Sequence, residues 1–230
     1  MVGKKYMPTT STMDYAAELG LPDGAYSITL NDELLSEDYA YTEDGKVYLG
    51  LDLVRNSINS RFYWDQSLEA VVYTTPEEIH IYSPDQNGYT VKTWDGETSG
   101  DTDYPYARII NDFVYIAAEF VNDNTQMEFR EYEDPSRVVI RTKWGEVRQV
   151  TIEKDTPLRY KGGVKSEVLR EASEGEKIIL LDSFDDWTNV STEDGYIGWV
   201  SSSDVLGGES VELEAPVFEA PVYKNISLDH

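Results

Sequence analysis

From about residue 26 onward the apolar positions fall in short runs broken by Asn, Asp, Gly and Pro. That pattern predicts β-strands joined by tight turns. Upstream, Thr12-Met13-Asp14-Tyr15-Ala16-Ala17-Glu18-Leu19-Gly20 predicts a short helix that stops at Gly20. An internal spacing organises the first half of the chain. Val47-Tyr48-Leu49, Leu53-Val54, Phe62 and Val71-Val72-Tyr73-Thr74-Thr75, moved forward by 67 positions, fall on Val114-Tyr115-Ile116, Phe120-Val121, Phe129 and Val138-Val139-Ile140-Arg141-Thr142 without a gap. Each copy reads as a strand, a short helix (Leu51–Asn56, then Ala118–Asp123) and two further strands. The turns Trp64-Asp65-Gln66-Ser67 and Tyr132-Glu133-Asp134-Pro135 join those strand pairs. One such unit is too small to enclose a core, so the two are expected to pack together as a two-copy α+β repeat domain.

The second half reads differently. Thr156-Pro157-Leu158-Arg159, Ser166-Glu167-Val168-Leu169, Gly175-Glu176-Lys177-Ile178-Ile179-Leu180-Leu181, Trp187-Thr188-Asn189-Val190 and Gly195-Tyr196-Ile197-Gly198-Trp199-Val200 predict five short strands closing a small barrel. From Gly207-Gly208 the chain turns acidic, then repeats Ala-Pro-Val at 215–217 and 220–222, which predicts an extended linker. Asn225-Ile226-Ser227-Leu228 reads as the first strand of a further domain. The expected organisation is an N-terminal segment (1–25), a repeat domain (26–150, copies at about 26–80 and 88–150), a barrel (151–206) and a linker with the start of another domain (207–230). The expected fold class is mainly β with α+β.

Two resemblances follow. Ile28-Thr29-Leu30-Asn31-Asp32, Lys46-Val47-Tyr48-Leu49, Leu53-Val54, Phe62-Tyr63-Trp64-Asp65 and Ala70-Val71-Val72-Tyr73 resemble the copper amine oxidase N-terminal-like domain of Gram-positive surface proteins. Gly50 and Ala117 stand where that family carries a proline. The module is not a copper site: copper needs imidazole or thiolate ligands, and His80 alone does not supply them. Residues 151–206, with Gly175-Glu176 before an apolar strand, the Trp187-x-x-Val190 strand and the Gly198-Trp199-Val200 close, resemble a bacterial SH3-like (SH3b) domain. The order of segments resembles the N-terminal region of cell-surface family-18 glycoside hydrolases of Firmicutes. It implies a downstream catalytic domain and an extracellular or cell-surface location.

Charge narrows the function classes. Lys and Arg number 19 against 44 Asp and Glu, a net charge of −25, which argues against nucleic acid and against anionic lipid as partners. No cysteine is present, so disulfides, thiolate nucleophiles and Cys-based metal sites are excluded. Two histidines, His80 and His230, leave no basis for multi-His metal sites or a Ser–His–Asp triad. No apolar run approaches the roughly 18 residues of a membrane helix. Met1-Val2-Gly3-Lys4-Lys5 lacks the apolar stretch of a signal peptide and reads as a start of chain or the stub of an anchor.

No catalytic constellation is expected. The spaced acids of a family-18 hydrolase are absent, and Asp182, Asp185 and Asp186 read as a solvated loop. Asp95-Gly96-Glu97-Thr98-Ser99-Gly100-Asp101-Thr102-Asp103 starts like a calcium loop but has Tyr106 at the twelfth position, where a bidentate Glu belongs. In the barrel, Trp199 and Val200 are expected to fill the core. Tyr160, Trp187 and Tyr196 are the candidate ligand residues, because aromatic faces stack on sugar rings or peptide. Trp64 and Trp144, near turns, are expected to be exposed. The expected function is non-catalytic binding to cell-wall glycan or peptide, without a cofactor, holding a hydrolase at the envelope. The alternative is a structural spacer or protein–protein module that binds no carbohydrate.

Overall fold

The computed structural model describes residues 7–218. In chain order the elements are α1 (Tyr15–Leu19), β1 (Ala25–Leu30), β2 (Glu33–Glu43), β3 (Lys46–Gly50), α2 (Leu51–Leu53) with a π-helical turn Val54–Ile58, β4 (Phe62–Asp65) and β5 (Ala70–Thr74). Then come β6 (Ile79–Tyr82), β7 (Gly88–Thr93), β8 (Gly96–Asp101), β9 (Ala107–Ile110), β10 (Phe113–Ala117), α3 (Ala118–Asp123), β11 (Glu128–Tyr132) and β12 (Arg137–Arg141). The last are β13 (Gly145–Ile152), β14 (Thr156–Arg159), β15 (Val168–Ala172), β16 (Lys177–Phe184), β17 (Trp187–Ser191), β18 (Ile197–Ser201), a 3-10 turn Ser202–Asp204, and β19 (Val205–Leu213). The described chain forms two compact units: Met7–Glu37 with Arg130–Ala215, and Asp38–Phe129 with Pro216–Phe218.

In the first unit a seven-stranded sheet runs in the order β15-β14-β18-β17-β16-β13-β19. Its interior is mostly aliphatic: Ile152, Leu158, Ile178, Val190 and Val200 are all buried, with Tyr15 and Tyr196 beside them. Each such side chain contributes about 1.5–3 kcal/mol through area removed from water. The N-terminal segment completes this core. Asp14 caps α1 by accepting from the Ala17 amide at 3.1 Å, Gly20 closes it at φ 64°, and Met13 and Tyr15 point into the barrel cluster. Before the helix, the Met13 amide donates to the Val168 carbonyl at 2.9 Å and the Val168 amide to Ser11 at 2.9 Å. This extends the sheet at its β15 edge. In the same unit β1 pairs in parallel with β12, and all six residues of β1 are buried. A strand covered on both faces takes near-continuous burial rather than alternation.

In the second unit β4 to β8 form an antiparallel meander, and the order β2-β3-β10-β9 describes the other strands, with β3 antiparallel to β10. Its interior is built from rings. Phe62 stacks on Tyr73 at 4.5 Å, Tyr106 stacks on Phe120 at 4.6 Å, and Phe62 meets Phe120 edge-on at 5.6 Å.

The two-copy α+β repeat expected from the 67-residue spacing is not the fold. Strand accounts for 52% of the structure and helix for 10%. The helical pieces are α2 with its π-helical turn in one copy and the six residues of α3 in the other, too short to make a layer. The strands that follow them part company. β4 and β5 continue into β6–β8, whereas β12 takes β1 as a parallel neighbour. Similar segments thus enter dissimilar sheets, because strand partners are chosen by non-local pairing.

Residues 207–213, expected as the start of a linker, are strand. β19 pairs with β13 from Gly145↔Leu213 to Ile152↔Val205, with a bulge between Gln149 and Val150. Gly207 and Gly208, at φ 93° and 116°, supply the backbone that bulge needs. The proposed strand at 225–228 and the stub at 1–5 lie outside the described residues. No helix among the described residues is long and apolar enough to cross a membrane.

Candidate functional site

β16, β17 and β18 are adjacent antiparallel strands, and their register decides which side chains share the outer face. Phe184 lies opposite Trp187, and Trp187 opposite Ser201; Asp182 lies opposite Asn189, and Asn189 opposite Trp199. Directly opposed residues point to the same side, with Cβ atoms about 4.5–5.5 Å apart. The outer face therefore carries two rows of three: Phe184, Trp187, Ser201 and Asp182, Asn189, Trp199. Inward from the same strands point Thr188, Val190 and Val200, all buried. Phe184 is 69% exposed, and Trp187 and Trp199 are half-buried.

The loop 160–166 borders this face. A Cβ on Gly162 would stand 3.3 Å from Trp187 Cγ and 3.4 Å from Trp199 Cε3, so the bare backbone of Gly162 lies against both indoles. The loop is held by Arg159, whose guanidinium donates to the carbonyls of Thr9 at 3.0 Å and Ser166 at 2.7 Å. Burial lowers the Arg159 pKa from its ordinary value. The Lys161 amide donates to Ser166 Oγ at 2.7 Å, closing the turn. These contacts hold the two indoles in one place.

The expected ligand residues separate. Trp187 is on the outer face. Tyr160 is half-buried and packs against the barrel core, with the Lys161 ammonium 5.2 Å from its ring. Tyr196 is 5% exposed and offers no face to a ligand. The edge of Tyr15 meets its ring at 5.4 Å, and the Arg137 guanidinium sits 4.4 Å from the ring centre. Trp199, expected in the core beside Val200, stands on the opposite face from it. Adjacent strand residues cannot both point inward, so the period of two already contained this correction.

Around Tyr196 lies a charged network. Arg170 donates to Glu176 at 2.5 Å and to Asp194 at 2.9 Å, and Arg137 donates to Asp194 at 3.3 Å. Burial opposes the Asp194 charge, but the bonds from Arg170 and Thr192 outweigh it and hold the carboxyl below the usual range. For Arg170, burial works against the cation and the bonds it donates to Glu176 and Asp194 overcome it, raising its pKa. Burial pushes the Tyr15 hydroxyl up to about 12. Both carboxylates, Glu176 and Asp194, are paired with guanidinium groups, and the network ties β12 and β15 to the turn that carries Asp194.

The acidic stretch at 95–103 is mostly strand rather than loop. Asp95 closes the β7–β8 turn beside Trp94, which is 92% exposed, and Gly96–Asp101 is β8, with Glu97 3.6 Å from Lys92. Among the described residues no group of three or more His, Asp or Glu gathers at metal-binding distance. Asp182 lies in β16, and Asp185-Asp186 form the hairpin turn. Trp64 and Trp144, expected to be exposed, are half-buried. A separate open pocket of about 440 Å³ in the second unit has Ile81, Thr90, Ser99 and Asp101 in its lining.

No curated protein and no solved structure matches the chain. Residues 158–205, which carry Trp187, Trp199 and Gly162, match the family model described as the bacterial dipeptidyl-peptidase SH3 domain, and this segment is an SH3-type β domain.

Proposed function

We propose that this chain is a non-catalytic binding region whose ligand lies on the outer face of β16–β18, against Trp187 and Trp199. The observation that carries the reading is the placement of the two indoles. The first unit buries Tyr15 and Tyr196 in a mostly aliphatic core, yet both indoles stay outside with Gly162 packed against them. SH3-type folds bind through aromatic-lined grooves of this kind.

The proposed ligand is a component of the bacterial cell wall, glycan or peptide, and the proposed location is the cell surface. The proposed context is a larger surface hydrolase of the family-18 type. It rests on the resemblance of residues 26–150 to the copper amine oxidase N-terminal-like module and on the order of segments. A binding module of this kind raises the local concentration of a linked catalytic domain.

The test is retention of the full chain on purified peptidoglycan. The expected result is that Trp187→Ala and Trp199→Ala lose retention while keeping the wild-type melting transition within a few degrees. No retention of the wild-type chain at low or high salt overturns the reading. A protein–protein role would then be favoured by the β9–β10 hairpin, where Ile109 and Phe113 are 50% and 68% exposed.

A further inference from the structure

Resting on that reading, we infer that residues 7–13 are a positioning segment for the ligand face: they hold the loop 160–166 against Trp187 and Trp199, and the face binds tightly only with that segment in place. The loop has little order of its own. It carries Gly162 and Gly163 in succession, and glycine is the residue that loses most freedom on folding. Inside the turn, the Lys161 amide donates to Ser166 Oγ and the Ser166 amide donates to the Gly163 carbonyl at 3.0 Å.

The N-terminal segment adds bonds from far away in the chain. The Thr9 amide donates to the Val164 carbonyl at 2.8 Å, and the Lys165 ammonium donates to the Met7 carbonyl at 2.5 Å. Arg159 ties the two stretches together, since one guanidinium nitrogen donates both to Thr9, 150 residues upstream, and to Ser166. Burial fixes where the segment lies. Met13 and Tyr15 are 7% and 5% exposed, and Thr12 runs parallel beside Val168, so Thr9 and Met7 reach the loop already placed. The path to the rings is then short. Val164 is two residues beyond Gly162, whose backbone lies against both indoles. With the segment docked, the loop is ordered during folding. Without it, the loop must give up its freedom when ligand arrives, and affinity falls with the fraction of molecules whose loop is in place.

The experiment compares the full chain with one that starts at Ser11, which keeps Met13, the Asp14 cap and Tyr15. The shortened chain is expected to stay folded, with its melting transition within a few degrees of the full chain. Its Lys161 and Ser166 amides are expected to exchange with solvent about tenfold faster. The indole N–H signals of Trp187 and Trp199 are expected to shift in NMR spectra, while those of Trp64 and Trp94 in the second unit stay. Retention on purified peptidoglycan is expected to weaken about tenfold. Thr9→Pro, which removes the amide donor to Val164, is expected to do the same to a lesser degree, and it replaces the shortened chain if that unfolds. Unchanged loop exchange with unchanged indole signals overturns the inference, and so does a loosened loop with full retention. If the wild-type chain is not retained on peptidoglycan but the two indole signals still move, the wall-binding reading fails and the positioning role stands.

Discussion

The two units place their aromatic side chains differently. In the second unit Phe62, Tyr73, Tyr106 and Phe120 pack against one another inside. In the SH3-type unit the interior is mostly aliphatic, with Tyr15 and Tyr196 buried edge-to-face as the one ring pair in it among the described residues, and Trp187 and Trp199 sit outside. In the second unit Phe120 of α3 meets the rings of Phe62, Tyr73, Tyr82 and Tyr106. Aromatic content therefore does not mark a binding face. Position on the strand does.

The contrast can be broken in order of effect. Phe62→Ala, at a fully buried stacked ring, is expected to cost about 3–5 kcal/mol in urea unfolding. A loss under about 1 kcal/mol would show that the ring cluster does not hold the second unit together. Leu158→Ala, fully buried in the barrel, is expected to cost about 3 kcal/mol. Asp194→Asn is expected to cost about 1–3 kcal/mol at neutral pH, because two guanidinium groups lose a charged acceptor. The folded-state pKa of Asp194 is lowered, so its stabilisation is present above the unfolded pKa, near 4, and disappears as pH falls through the folded value. Melting of wild type and variant should converge in that acidic range. Tyr15 acts at the other end of the scale. Its folded pKa of about 12 lies above the ordinary 10, so stability is lost as pH rises from about 10 toward 12, and Tyr15→Phe should flatten that alkaline loss. The smallest effect is expected at Phe184→Ala: within about 0.5 kcal/mol of wild type in stability, but with measurably weaker ligand binding. A large stability change there would mean the exposed ring is structural.

Much of the barrel was legible because its signals are local. Gly175-Glu176 before an apolar strand, the Trp187-x-x-Val190 strand and the Gly198-Trp199-Val200 close all describe neighbours in sequence. The outward side of Trp199 was legible too, from its adjacency to Val200. Tyr196 was not: what buries it is Tyr15 and Arg137, far away in the chain. β19 was hidden because Gly207-Gly208 reads as a break, whereas in the sheet it is a bulge opposite Gln149 and Val150. The 67-residue spacing is real in the sequence, but no local rule shows that β5 continues to β6 while β12 joins β1.

The first unit is assembled from two stretches of chain with Asp38–Phe129 between them. During synthesis from the N-terminus, Met13 and Tyr15 emerge early, but Val190, Tyr196 and Val200 are added only after the intervening stretch is complete. The intervening stretch carries its own ring-lined core, so on the ribosome it can reach its final state first. Met13 and Tyr15 can meet these partners only once the chain has been made as far as Val200, so the core of the first unit closes through contacts of long sequence separation.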